Sequence, residues 1–350
     1  MKPSLLCIVG ARPQFIKHKP VWEAFSQFFH VSTLHTDQHF EVAMSERFFA
    51  ELGLPEPDFR LRPRSQGSSA HQVASMLEGI DEVLAAHRPD GVLVYGDTNS
   101  TLAGAIVAAQ RNLPLFHVEA GLRSYNRSMP EEKNRVITDH LSQLLFAPTE
   151  AAVKNLRREG LSAGVHHTGD VMCDVLQAQL VGLTPKRSGS YLFATIHRPA
   201  NTDPPGRLGQ ILATLDSLPW PVVLPVHPRT RLAMQREQLD HDQYANIDFC
   251  EPMGYRESLS YQKFCECVLT DSGGMQKEAY LLGKRCLTLR SETEWPETLQ
   301  GNCNQLVGDE LSSLAALITN DTSPEFGEPY GNGQAAHKMA VLAADFFSLD

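Results

Sequence analysis

The sequence predicts an α/β chain built from two successive parallel sheets, each interleaved with helices. Short β-branched or apolar runs alternate with longer helical patterns along the chain, and continuous apolar runs of this kind suit strands buried on both faces. The 350 residues, 42% of them hydrophobic, exceed what one core usually holds. The stretch "GLTPKRSGS" at 182–190 carries the Gly, Pro and Ser of a linker, which places a boundary near 170–188.

In chain order, "LLCIVG" opens the first sheet and "GARPQFIKHKP" follows it, with Pro13 suited to a first helical position. "VSTLHT", "GVLVYGD", "LPLFHVEAG" and "LLFAPT" read as further strands of that sheet. After the linker, "YLFATIH", "PVVLPVHP", "CVLTDSGG" and "RCLTLR" read as strands of the second. Ligands of open parallel sheets sit off the carboxyl ends of the strands. The residues there are unusually polar: Arg12 and Lys17, Asp97 and Thr98, Glu119 and Arg123, His197 and Arg198, His227 and Arg229, and Ser272 with Gly273 and Gly274. Such a set at one end of successive strands suggests a cleft between two domains.

The formal net charge of −10 argues against a general nucleic-acid or anionic-membrane binder, so an anionic ligand has to be held locally. With no signal-peptide core, no apolar run of about 18 residues and no lipidation signal, the expectation is a soluble cytoplasmic protein. Seven scattered cysteines fit neither a disulfide framework nor a zinc ribbon and are expected to be reduced and mostly buried. His35 and His39 have helical metal spacing, but no HExxH or third ligand follows, which argues against a metal site. Trp22, Trp220 and Trp295 are too dispersed to form a stacking platform.

Arg12 and Lys17, around the start of the first helix, can grip a phosphate or stabilise a departing diphosphate; a loop arginine beside a surface lysine is the plainer alternative. "VLTDSGGMQKEAYLLGK" reads as strand, turn and helix, with two glycines and unpaired first-turn amides that suit an anion. It is neither GxGxxG nor a P-loop. Glu278, one turn in, can accept ribose hydroxyls, while Asp271 or Ser272 could simply cap the helix. Asp97, Glu119, Glu131 and Glu132 offer carboxylates for general acid–base work. For "PEEKNR" an ordinary capped helix with a Glu131–Arg135 pair explains the pattern equally well.

Taken together, "GARPQFIK", "VYGDTNSTLAGA", "HVEAGLRS", "PEEKNRVITDH", "APTE", "GDVMCD", "TIHR", "LTDSGGMQKEA", "ETEWPE" and "PYGNGQA" resemble the non-hydrolysing UDP-N-acetylglucosamine 2-epimerase family along essentially the whole chain. The resemblance implies a glycosyltransferase-B-like pair of Rossmann-like domains. The N-terminal one would span 1–170 and be completed by a final helix at 333–350; the UDP-binding one would span 171–332. It also implies a homodimer joined through the N-terminal domain, with a UDP-sugar substrate and neither NAD nor metal. The implied chemistry is C2 inversion by elimination of UDP to a 2-acetamidoglucal and re-addition. Asp97, Glu119 and Glu131 would exchange the C2 proton, with His197 and Arg12 aiding the leaving diphosphate. Lys17, Arg123, Arg135, His227, Ser272, Gly273, Gly274, Glu278, Arg290 and Trp295 would bind the substrate.

Departures from the family pattern narrow this. "HRPAN" puts Ala200 where an acid is common, and "QKE" puts Lys277, expected at the surface, beside Glu278. "DQHFEVAM", with Asp37, Phe40 and Glu41, matches the substrate-activated members poorly, so no such activation is expected. "GARPQF" and "TEWPE" resemble the branch acting on UDP-2,3-diacetamido-2,3-dideoxyglucuronate for surface polysaccharides, whose carboxylate would want a cation such as Arg127 or Arg229. UDP-GlcNAc, giving UDP-ManNAc, is the leading substrate and the uronate the second. A UDP-sugar glycosyltransferase of the same architecture and a non-catalytic UDP-sugar sensor are the readings from other classes.

Overall fold

The computed structural model describes residues 2–38, 53–61, 68–320 and 322–348; His39, Phe40 and Glu41 lie outside these. The chain divides by its contacts into two compact units, 1–178 with 328–350, and 179–327. The break follows Ala178. Val171 belongs to the first unit's core, and the Cys173 thiol lies 3.3 Å from the Tyr330 carbonyl.

The first unit holds a sheet of seven described strands: β1 (Ser4–Val9), β2 (His30–His35), β3 (Phe59–Arg60), β4 (Gly91–Tyr95), β5 (Leu115–Val118), β6 (Leu144–Ala147) and β7 (Val165–His167). Their order is β3-β2-β1-β4-β5-β6-β7, all parallel. The residues of β1 from Leu5 to Val9 are wholly buried, as expected of a strand with helices on both faces. Helix Ala335–Phe346 packs on helix Arg12–Phe25, placing Met339, Ala340 and Ala343 in one core with Phe25 and Phe116. Asp174 accepts the Ala335 and Ala336 amides at 3.2 and 3.0 Å and so satisfies that helix's first N–H groups.

The second unit repeats the plan with β8 (Leu192–Thr195), β9 (Val222–Pro225), β10 (Ile247–Cys250), β11 (Cys267–Thr270), β12 (Cys286–Thr288) and β13 (Asn304–Leu306), ordered β10-β9-β8-β11-β12-β13 and all parallel. In each sheet the order reverses once, between β1 and β4 and between β8 and β11. Those switch points are where the loops part and leave room for a ligand.

All seven cysteines are free, six of them buried and Cys250 partly so. Burial pushes the thiols of Cys7, Cys265 and Cys286 up to about 12, which makes them unreactive packing groups. No helix among the described residues is long and apolar enough to cross a membrane.

Candidate active site

In the first unit, the loops after β1 and β4 are fastened to each other by one side chain. Gln14, 3% exposed, accepts the Gly10 and Ala11 amides at 2.8 and 3.0 Å. Its amide nitrogen donates to the Tyr95 carbonyl (2.8 Å), Thr98 Oγ1 (3.0 Å) and Thr101 Oγ1 (3.1 Å). Gly10 permits this closeness, because a Cβ there would collide with Ser100 Oγ and Thr36 Oγ1, themselves 2.7 Å apart. Arg12 thereby opens its helix, with Pro13 in the first turn, beside the loop that carries Asp97.

Lys17 forms an ion pair with Glu119, the residue that follows β5. Burial works against the ammonium. Glu119, with Asp170 and Asp97 contributing, more than offsets this and holds the Lys17 pKa above the ordinary lysine value. Glu119 is 7% exposed and has φ +69°, a left-handed conformation that a non-glycine residue keeps only when its surroundings enforce it. Asp97, one strand over, pairs with Arg135. Two carboxylates, each with its own cation, therefore leave the ends of neighbouring strands.

Helix Pro130–Leu141 separates the two glutamates of "PEE". Glu132, 5% exposed, accepts the Ser124 and Tyr125 amides and the Ser124 hydroxyl, each at 2.9 Å, and Arg135 at 3.0 Å. Burial would raise its pKa, but these contacts hold it below the usual glutamate value. Arg135 thus pairs with Glu132 and Asp97, not with Glu131 as the four-residue spacing suggested. Glu131 stands exposed in the first turn of the helix.

Arg123, which the resemblance implies binds substrate, is held by groups of its own unit. Its side chain is 1% exposed and is engaged by Glu159 through two 2.7 Å bonds, by Asp139 at 2.7 Å and by the Leu122 carbonyl at 2.7 Å. Asp139 also pairs with His117 Nδ1 at 2.7 Å, and His117 Nε2 meets the Gly96 carbonyl at 2.7 Å. This buried chain shapes the turn before Asp97. The sequence offered no signal for it beyond a histidine inside an apolar strand.

In the second unit, Asp271 is wholly buried after β11. It accepts the His197 amide at 3.0 Å, the Arg198 amide at 2.9 Å and Asn201 Nδ2 at 3.1 Å. It is a brace for the His197 turn, and Ser272 is the residue that caps the next helix. His197 Nδ1 lies 3.4 Å from Asp271 Oδ1, and its ring centroid is 5.1 Å from that of His227. Burial lowers the His197 pKa, assisted by His227, Arg198 and Arg229 against the pull of Asp271, so the imidazole is mostly neutral at pH 7. His197, His227, Ser272 and Met275 line a cavity of about 190 Å³.

Helix Gly273–Leu281 begins at this cavity, with Gly274 exposed. Glu278, one turn in, accepts Gln262 Nε2 at 2.9 Å, and burial pushes its carboxyl up to about 6. Arg290 contacts Glu294 at 3.0–3.2 Å. Lys277 is not the expected surface lysine: it is 5% exposed, with Nζ 4.0 Å from the centroid of the Trp295 ring. Ala200 is exposed on a four-residue helix. Of the two cations considered for a sugar carboxylate, Arg229 pairs with Asp203 at 3.1 Å, and Arg127 lines an open groove of about 640 Å³ beside helix Pro130–Leu141. No cluster of three or more metal-ligating side chains occurs among the described residues.

A family profile described as UDP-N-acetylglucosamine 2-epimerase matches residues 24–343. The UDP-2,3-diacetamido-2,3-dideoxy-D-glucuronate 2-epimerase of Pseudomonas aeruginosa is 42% identical, over 97% of this chain and 99% of its own. The UDP-N-acetylglucosamine 2-epimerase of Methanocaldococcus jannaschii is 38% identical, over 97% of this chain and 98% of its own. A crystal structure of the M. jannaschii UDP-GlcNAc 2-epimerase in complex with UDP-GlcNAc and UDP matches 98% of this chain and 99% of that one, with a TM-score of 0.79 and 36% identity.

Proposed function

The chain belongs to the UDP-N-acetylglucosamine 2-epimerase family, and on that premise we propose that it inverts C2 of a UDP-bound 2-acetamido sugar without hydrolysis, interconverting UDP-GlcNAc and UDP-ManNAc. The observation that carries the proposal is the pair of carboxylates, Asp97 and Glu119, at the ends of adjacent strands β4 and β5, each beside a cation.

C2 of such a sugar has no neighbouring carbonyl, so its proton leaves only together with the C1–O bond to UDP. A carboxylate takes the proton, the C1–O electron pair departs with the β-phosphate, and a 2-acetamidoglucal remains. Re-addition of the phosphate oxygen to C1, with protonation of C2 from the other face, completes the inversion. Two faces require two proton carriers, drawn from Asp97, Glu119 and Glu131. The second unit supplies the nucleotide-holding groups: amides at Ser272, Gly273 and Gly274, and Glu278 for the ribose. His197, mostly neutral, donates a hydrogen bond to the leaving diphosphate, and Arg12 and Lys17 add charge from the first unit. The route uses no NAD and no metal.

A second substrate, the UDP-2,3-diacetamido uronate, is favoured by the 42% identity to the Pseudomonas enzyme and by Gln14 and Trp295 in the motifs that set that branch apart. We place the enzyme in the cytoplasm, where its nucleotide-sugar substrates are made. We also expect a homodimer through the first unit, supported by the exposed Tyr125 and Ile137 along one groove.

Proton NMR of the protein with each UDP-sugar in D2O tests the proposal. Deuterium at C2 with a new epimer signal supports it and identifies the substrate. Binding without exchange for both sugars would refute it in favour of a sensor, and transfer of the sugar to an acceptor would refute it in favour of a glycosyltransferase. In Asp97→Asn and Glu119→Gln, exchange should fall by about 10²- to 10⁴-fold with UDP binding retained.

A further inference from the structure

The helix start assigned to the diphosphate already has an anion beside it, and it belongs to the protein. Glu294 meets Arg290 through three contacts of 3.0–3.2 Å and lies 3.8 Å from Arg198 Nη2. Its Oε2 would be only 3.0 Å from a Cβ built on Gly273, so the carboxylate rests against the helix start from which the unpaired amides project. Its neighbours are pinned on both sides. Thr293 Oγ1 donates to Gln276 at 2.6 Å and accepts the Trp295 amide at 3.1 Å, while the Trp295 ring lies under Lys277. The Glu294 side chain itself remains 46% exposed. Burial is outweighed by Arg290, which keeps the Glu294 carboxyl below the ordinary glutamate range and charged at neutral pH.

We propose that Glu294 is an internal competitor that stands in for the diphosphate in the free protein and must be displaced from Arg290, Arg198 and the Gly273 helix start before a nucleotide binds. The inference rests on the reading that these groups hold the diphosphate. A ligand carrying two phosphates and a nucleoside outcompetes the tethered carboxylate, whereas inorganic phosphate, with less charge and no anchor, does not. Glu294 thus weakens every anion that must displace it by the same factor, which leaves an intrinsically weak ligand such as inorganic phosphate with little affinity.

Calorimetric titration of the intact protein and of Glu294→Gln with UDP, UMP and inorganic phosphate tests this, with Arg290→Ala as the control for the underlying reading. Glu294→Gln should tighten UDP about three- to tenfold, tighten UMP and phosphate by a similar factor, and leave the unfolding temperature within a few degrees of the parent. UDP binding that is unchanged or weaker in Glu294→Gln, while Arg290→Ala loses affinity, would overturn the inference and leave the diphosphate site standing. If Arg290→Ala binds UDP as the parent does, the diphosphate reading fails and the inference with it.

Discussion

Replacing Gln14 by Glu changes one atom's chemistry at a buried junction of two loops of the first unit. The amide nitrogen now donates to Tyr95 O, Thr98 Oγ1 and Thr101 Oγ1 at 2.8–3.1 Å. A carboxylate oxygen in its place would face the Tyr95 carbonyl with no proton between them. Thr101 cannot compensate, because its own hydroxyl already donates to Tyr95 O at 2.5 Å. The loss of these donations and the desolvation of a charge in a 3% exposed position amount to about 2–3 kcal/mol when the glutamate is ionised. Protonation restores one donation and brings the cost to about 1 kcal/mol. A carboxyl whose folded pKa lies above its unfolded value of about 4.3 is penalised little below pH 4.3, increasingly as the pH climbs toward the folded pKa, and constantly above it. Urea unfolding of parent and Gln14→Glu at pH 5 and pH 8 should therefore show a gap that widens with pH, with unchanged m. Parallel stability at both values would refute the assignment of Gln14 as the obligate donor between the two loops.

Three further outcomes follow from other sites. Arg123→Ala should cost about 3 kcal/mol, because it removes the guanidinium from buried Asp139 and leaves it only His117 and the Gly121 amide, while the folded fraction keeps its UDP affinity; unfolding with parallel titration checks both. UDP should bind more weakly as the pH falls through about 6, where Glu278 protonates and ceases to accept ribose hydroxyls, and Glu278→Gln should flatten that profile. Tyr255→Phe should raise stability by about 1 kcal/mol in thermal unfolding, because the buried Tyr255 hydroxyl has no hydrogen-bond partner among the described residues.

The fold was legible wherever a strand lies inside a sheet. The four strands that the apolar runs did not announce, β3, β7, β10 and β13, are the four sheet edges. They are short and largely half-exposed, as in Phe59–Arg60 and Val165–His167, so they lack the continuous apolar run that interior strands require. The polar residues just after strands were legible for the same topological reason. Their partners were not. Whether Arg123 meets a ligand or Asp139 and Glu159, and whether Glu131 or Glu132 is turned inward, is decided by residues distant in sequence. Gln14 and Glu294 act through contacts that no local pattern encodes.

The helix Ala335–Phe346 has a consequence for how the chain is made. Its alanines and Met339 fill the hydrophobic centre shared with Phe25 and Phe116, so the first unit lacks part of its interior until this helix, which follows the whole second unit in sequence, has left the ribosome. The second unit is continuous and needs no such delayed piece. Maturation of the nascent protein should therefore run against the direction of synthesis, the later unit consolidating first. Removal of the final helix would then strip the earlier unit of its packing and leave the later one folded.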